Sequence, residues 1–98
     1  MQIREFQALI RATYHKRDGK RGLDKNALWF VEEVGEFAEA VRKRDTKEMA
    51  REAADVVAWL TSVCDLAGVD LEKAIHAKYG KGCPGCKKIP CEIGRAHV

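Results

Sequence analysis

With 98 residues the chain fits one domain. A domain of this size buries only roughly 60 to 65% of its unfolded surface, so a self-sufficient core is marginal and association between copies is expected. No apolar run approaches the roughly 20 residues of a membrane span, and the opening Met1-Gln2-Ile3-Arg4-Glu5-Phe6 carries charge where a signal peptide would be apolar, so the expected location is the cytoplasm with no membrane partner.

The net charge of +3 is segregated: residues 1–25 and 76–98 are basic, while 26–75 are acidic. Such a distribution suits carboxylates that hold a cation beneath an anionic ligand, and it equally suits solvated faces.

Ile3, Phe6, Ile10 and Tyr14 recur at helical spacing, which predicts a first amphipathic helix ending near His15. The basic, glycine-bearing run from Lys16 to Gly22 reads as a loop. Asp24 is placed to cap a second helix whose stripe is Phe30, Val31, Val34, Phe37, Ala38 and Val41. That helix stops around Arg44, because Asp45-Thr46 with Glu48 forms a capping arrangement for a third. Met49, Ala53, Val56, Leu60, Val63 and Ala67 then repeat in steps of three and four up to the stop signal Gly68. Asp70 caps a short fourth helix carrying Leu71, Ala74 and Ile75, which Gly80 ends. The expected fold is all-α, a small four-helix bundle over residues 1–80 completed by oligomerisation, with a Cys/Lys-rich tail over 81–98.

Almost nothing joins the second helix to the third, so they should form an antiparallel hairpin turning near Asp45. Counted outward from that turn, Glu36 and Glu33 stand level with Glu52 and Asp55 to within about one helical turn. Each pair is spaced three apart and so occupies one helix face, with Glu32 and Glu39 adjoining the first pair. A solvated acidic face would look similar. Two features favour a site: Trp29 and Trp59 flank the acids at matching heights, so a nucleobase or a partner subunit should cover this face, and four facing carboxylates repel unless a cation neutralises them. An all-oxygen set without histidine selects Mg²⁺ or Mn²⁺ over zinc and differs from a di-iron bundle, which pairs Glu with Glu-x-x-His.

Glu32-Glu33-Val34-Gly35-Glu36, followed after residues 37–51 by Glu52-Ala53-Ala54-Asp55, resembles the signature of MazG-like nucleotide pyrophosphohydrolases. The resemblance runs from the Arg17–Gly22 segment through Lys78-Tyr79-Gly80. It implies an all-α homodimer or homotetramer that splits nucleoside triphosphates into monophosphate and pyrophosphate with Mg²⁺, Mn²⁺ being a possible substitute. It also implies Glu33, Glu36, Glu52 and Asp55 as the metal ligands. Glu32 matches the extra acid of the motif, and either Glu32 or Glu33 is the expected proton acceptor. Lys78 is the first candidate for the outer phosphates, with Arg17, Lys20 and Arg21 behind it, and the base is expected on Trp29 or Trp59.

Cys83-Pro84-Gly85-Cys86 with Cys91 resembles half a Zn²⁺ site that needs a fourth ligand. Some MazG-like chains carry a further cysteine two residues beyond the last one here, where this chain has Ile93. His97, Cys64 or a second subunit is the substitute; otherwise the tail is redox-sensitive or disordered. His15, His76 and His97 are expected as surface histidines, and Cys64 as a small buried hydrophobe.

Two other readings stay open. One is a non-catalytic helical interaction module that binds nucleic acid through the basic ends and the cysteine knuckle, although the acids would repel a phosphate backbone and nucleic acid is not the expected partner. The other keeps the site but acts on a phosphoribosyl-nucleotide pyrophosphate.

Overall fold

The computed structural model describes residues 1–94. Four helices follow one another: α1 (Ile3–Arg21), α2 (Leu23–Arg42), α3 (Thr46–Ala67) and α4 (Leu71–Tyr79), with no strand among the described residues. The antiparallel hairpin of α2 and α3 forms the frame; α1 lies across it, chiefly against α3, and α4 packs on α1.

The hairpin forms where the capping chemistry placed it. Arg44 takes a positive φ of 58° at the turn, and the Asp45 carboxylate accepts the Glu48 N–H at 3.1 Å, satisfying a donor the helix itself cannot. Gly68 ends α3 in the left-handed region, where the Val69 N–H reaches back to the Cys64 carbonyl at 2.8 Å. Asp70 caps α4 by accepting the Lys73 N–H. The Glu72 N–H donates to the Gln7 side-chain oxygen at 3.1 Å, fastening the start of α4 to α1.

The first connection differs from the expectation. Helix α1 continues through the run read as a loop and ends at Arg21 rather than near His15. Asp18 lies one further turn along the Ile10–Tyr14 face and is buried, while Gly19 faces open space and interrupts no packing. Gly22 alone joins the two helices, at φ 91° and ψ 159°, a conformation open to glycine and strained for other residues. Nor does Asp24 cap α2. Gly22 holds the cap position, Asp24 sits in the first turn where a negative charge still favours the helix dipole, and Asn26 closes the corner instead. Fully buried, Asn26 donates to the carbonyls of Asp18 (2.9 Å) and Gly22 (2.7 Å) and accepts from Arg21 (3.0 Å).

His15 is not an unpartnered surface residue. Its Nδ1 lies 2.6 Å from one oxygen of Asp65 on α3, and Arg11 donates to the other at 2.6 Å. Burial alone would raise the Asp65 carboxyl, but the bonds to His15 and Arg11 outweigh it and hold the group below its ordinary value. His76 is exposed, His97 lies outside the described residues, and Cys64 is half-buried on α3.

Apolar burial is thin. Among the described residues Ile10 and Ala40 are the only apolar side chains buried outright, and of the expected α2 stripe Val31 remains 64% exposed and Val34 40%. The radius of gyration, 15.4 Å, exceeds the roughly 13 Å usual for 100 residues, as three long helices in an open arrangement require. Among the described residues no helix is long and apolar enough to cross a membrane.

Two consequences are measurable by urea unfolding. Asn26→Ala removes the side-chain bonds to the Asp18 and Gly22 carbonyls, which keep their backbone donors, and the acceptor for Arg21, and should lower stability by about 1–3 kcal/mol. Asp65→Asn should cost roughly 1 kcal/mol at neutral pH, since its partner Arg11 is largely exposed. Because the folded carboxyl titrates below its unfolded value, that difference should persist above about pH 4 and vanish as the pH falls through the folded value.

Candidate active site

The α2–α3 hairpin brings one carboxylate oxygen each of Glu33, Glu36 and Glu52 within 4.8 Å of one another. Glu33 and Glu36 come from successive turns of α2, and Glu52 comes from the facing turn of α3. Two of the oxygens, Glu33 Oε2 and Glu52 Oε2, are buried and accept no hydrogen bond. Neighbouring acids are treated differently: Glu39 pairs with Arg42 and Lys43, and Glu48 pairs with Arg51. Among the described residues no Lys, Arg or His forms an ion pair with Glu33, Glu36 or Glu52.

That arrangement shifts the acids' proton affinity. Burial, followed by the charges of Glu36 and Asp55, holds Glu33 above the usual carboxylate range. Burial, followed by contact with Glu48 and the charge of Glu36, pushes Glu52 up to about 7. Buried acceptors without donors, on acids without counter-ions, are what a hard divalent cation would complete, and carboxylate oxygens are its proper ligands.

Asp55 stands beside this cluster, near enough to raise Glu33, and faces a second feature. A pocket of about 200 Å³ lies between α1 and α3, lined by Tyr14, Arg17, Asp18, Arg21, Asp55 and Trp59, with Ala58 and Ser62 in its wall. Asp55 is therefore the link between the acidic cluster and an aromatic pocket that carries two arginines and Asp18. Glu32 lies on the other side, in the cleft that Glu36, Glu39, Glu48 and Glu52 line.

The tryptophans meet as their matching heights required, but they stack on each other, ring centres 6.0 Å apart and planes inclined by 19°. Arg21 lies 5.2 Å from the Trp59 ring centre and is steadied by Asp18 and Asn26. Arg17 and Arg21 thus reach the pocket, whereas Lys20 is exposed and lines neither cavity. Lys78 stands on α4 over its neighbour Tyr79 and lines neither the carboxylate cleft nor the Trp59 pocket.

Asp18, Ser62 and Tyr14 were not among the expected site residues. Extending the Ile10–Tyr14 spacing by four places Asp18 on the same face, but the glycine-bearing run masked that signal. One oxygen of Asp18 is buried without a hydrogen-bond partner at the pocket wall. Cys83, Cys86 and Cys91 gather in the tail; Cys64 is not part of that group, and His97 falls outside the described residues.

A family model described as the MazG nucleotide pyrophosphohydrolase domain matches residues 21–86, which includes both acidic motifs and the first two tail cysteines. No curated protein matches the chain.

The raised carboxyls make the effect of a cation depend on pH. Lowering the pH through about 7 lets the metal-free cluster take up protons and stabilises it, while raising it ionises Glu52 and favours a cation. Millimolar Mg²⁺ or Mn²⁺ should therefore raise the thermal midpoint more at about pH 8 than at about pH 6, as differential scanning fluorimetry would read. Equal shifts at both values would separate the cation from these acids.

Proposed function

From the premise that the chain belongs to the MazG nucleotide pyrophosphohydrolase family, we propose that it hydrolyses nucleoside triphosphates to a nucleoside monophosphate and pyrophosphate, with Mg²⁺ held by Glu33, Glu36, Glu52 and Asp55. The observation that carries this reading is the pair of buried, unpartnered oxygens on Glu33 and Glu52, inside a three-carboxylate cluster that no basic side chain among the described residues neutralises.

In this reading a bound Mg²⁺ offsets the charge of the phosphate oxygens and of the transition state. Water adds to the α-phosphorus, the bond from that phosphorus to the α–β bridging oxygen breaks, and pyrophosphate leaves with the bridging electrons. Glu32 is the proton acceptor, because it reaches the cleft beside Glu36 and Glu52 without being drawn into the cluster, which leaves Glu33 as a ligand. Arg17 and Arg21 bind the outer phosphates across Asp55, a position that their shared pocket supports better than Lys78 on α4. Arg21 is held in advance by Asp18, Asn26 and the Trp59 ring, so less side-chain freedom is lost on binding. The same pocket offers the Trp59 edge to the nucleoside.

The active form in this reading is a homodimer or homotetramer in the cytoplasm. Leu28 and Val31 lie one turn apart on α2 at 70% and 64% exposure, an apolar stripe that a second copy would cover.

Pyrophosphate release from a panel of ribo- and deoxynucleoside triphosphates, with and without Mg²⁺, tests the reaction. Metal-dependent release is expected, reduced roughly 100-fold or more in Glu36→Gln at unchanged helix content. Arg21→Ala should chiefly raise KM. Undiminished release in Glu36→Gln, or none from any nucleotide, would overturn the proposal.

A further inference from the structure

The tail beyond α4 has a structure that the carboxylate site does not use. Gly82 turns the chain at φ 100°, and a Cβ there would stand 2.6 Å from the Ile89 side chain and 3.0 Å from the Lys88 carbonyl, so the chain passes too close for any other residue. From Cys83 the backbone folds back on itself: the Lys87 N–H donates to the Cys83 carbonyl at 2.7 Å, and the Cys83 N–H donates to the Lys88 carbonyl at 3.2 Å. Lys87, directly after the second cysteine, takes a positive φ of 61° to close this turn. A second bend returns Cys91 to the first two cysteines.

The sulfurs meet at the corners of a triangle. Cys91 Sγ is 3.4 Å from Cys83 Sγ and 3.9 Å from Cys86 Sγ, and all three lie within 4.8 Å of one another. A disulfide needs about 2.05 Å, and it could join only two of the three. Four ligands at about 2.3 Å around a tetrahedral ion stand about 3.8 Å apart, so the observed separations bracket the edge of a zinc–thiolate tetrahedron.

We propose that Cys83, Cys86 and Cys91 bind one Zn²⁺ per chain as three thiolates, closing the tail into a knuckle at the end of α4. The site is distinct from the carboxylate cluster in ligand chemistry: soft sulfur selects zinc where the all-oxygen set selects a hard ion. Three thiolates and one Zn²⁺ leave a single net negative charge, which Lys81, Lys87 and Lys88 in the same tail complement. Zinc contributes no step to the phosphate chemistry; it replaces the apolar core that so short a segment lacks.

The test loads the full chain, reduced and freed of metal, with Zn²⁺ or Co²⁺ and then removes unbound ion by gel filtration. The wild type should retain about one equivalent of zinc, and the cobalt form should show the intense thiolate-to-cobalt charge-transfer absorption that carboxylate ligands cannot produce. In C83S/C86S both should be lost while far-UV circular dichroism keeps its helical signal, because α1–α4 precede the tail. No retained zinc in the wild type, or equal zinc and the same charge-transfer absorption in C83S/C86S, would overturn the proposal.

Discussion

Negative charges from two helices converge on a space small enough for one ion, and the rest of the structure is arranged around that repulsion. Glu33, Glu36 and Glu52 meet because α2 and α3 are clamped together by the turn at Arg44 and the Asp45 cap, not because the acids attract one another. In the metal-free chain the cluster is relieved by protons, as the raised carboxyls of Glu33 and Glu52 indicate. A pair of buried oxygens without donors, left where neighbouring Glu39 and Glu48 have their own arginines, is a local cost to the fold that a function at this point explains.

The corner between α1 and α2 serves the same end. Asn26 and Gly22 let α1 end against α2 without a loop, and this sets Asp18, Arg17 and Arg21 against Asp55 and Trp59. Two arginines, one of them paired with Asp18, therefore line the pocket that Asp55 shares with the acidic cluster, the charge order that an anionic ligand approaching a cation would use in the proposed reaction. The Trp29–Trp59 stack joins α2 to α3 beside that pocket. Arg11 and His15 hold the far side of α1 to Asp65 on α3, so both ends of the pocket are fixed by polar contacts rather than by a large apolar core.

The two ends of the chain use different means of holding structure. The helical part relies on caps, a buried asparagine and one ion-pair cluster, while the tail has three sulfurs gathered by backbone turns around Gly82 and Lys87. Membership of the MazG nucleotide pyrophosphohydrolase family accounts for the acidic motifs on α2 and α3. The triangle of sulfurs completed at Cys91, five residues past the matched segment, follows from the tail's own turns.

Helix periodicity and caps were legible in the sequence: the hairpin about Asp45, the stops at Gly68 and Gly80, and the facing of the Glu33–Glu36 turn with Glu52 all follow from spacing alone, because a helix has a fixed rise and rotation. The family could likewise be read from the two acidic motifs. The end of α1 could not, since a glycine among charged residues signals a loop unless contacts with another helix override it, as the Asn26 bonds to the Asp18 and Gly22 carbonyls do. Which basic side chains line the Trp59 pocket was also decided by tertiary structure. Lys78 and Arg21 are equivalent as charges on a string, and only the packing of α1 against α3 sets Arg21 over Trp59, while Lys78 on α4 lies over its own neighbour Tyr79 and lines neither that pocket nor the carboxylate cleft. Local rules govern contacts within a few residues; contacts between distant segments depend on how helices cross, and that is settled by side chains from every element at once.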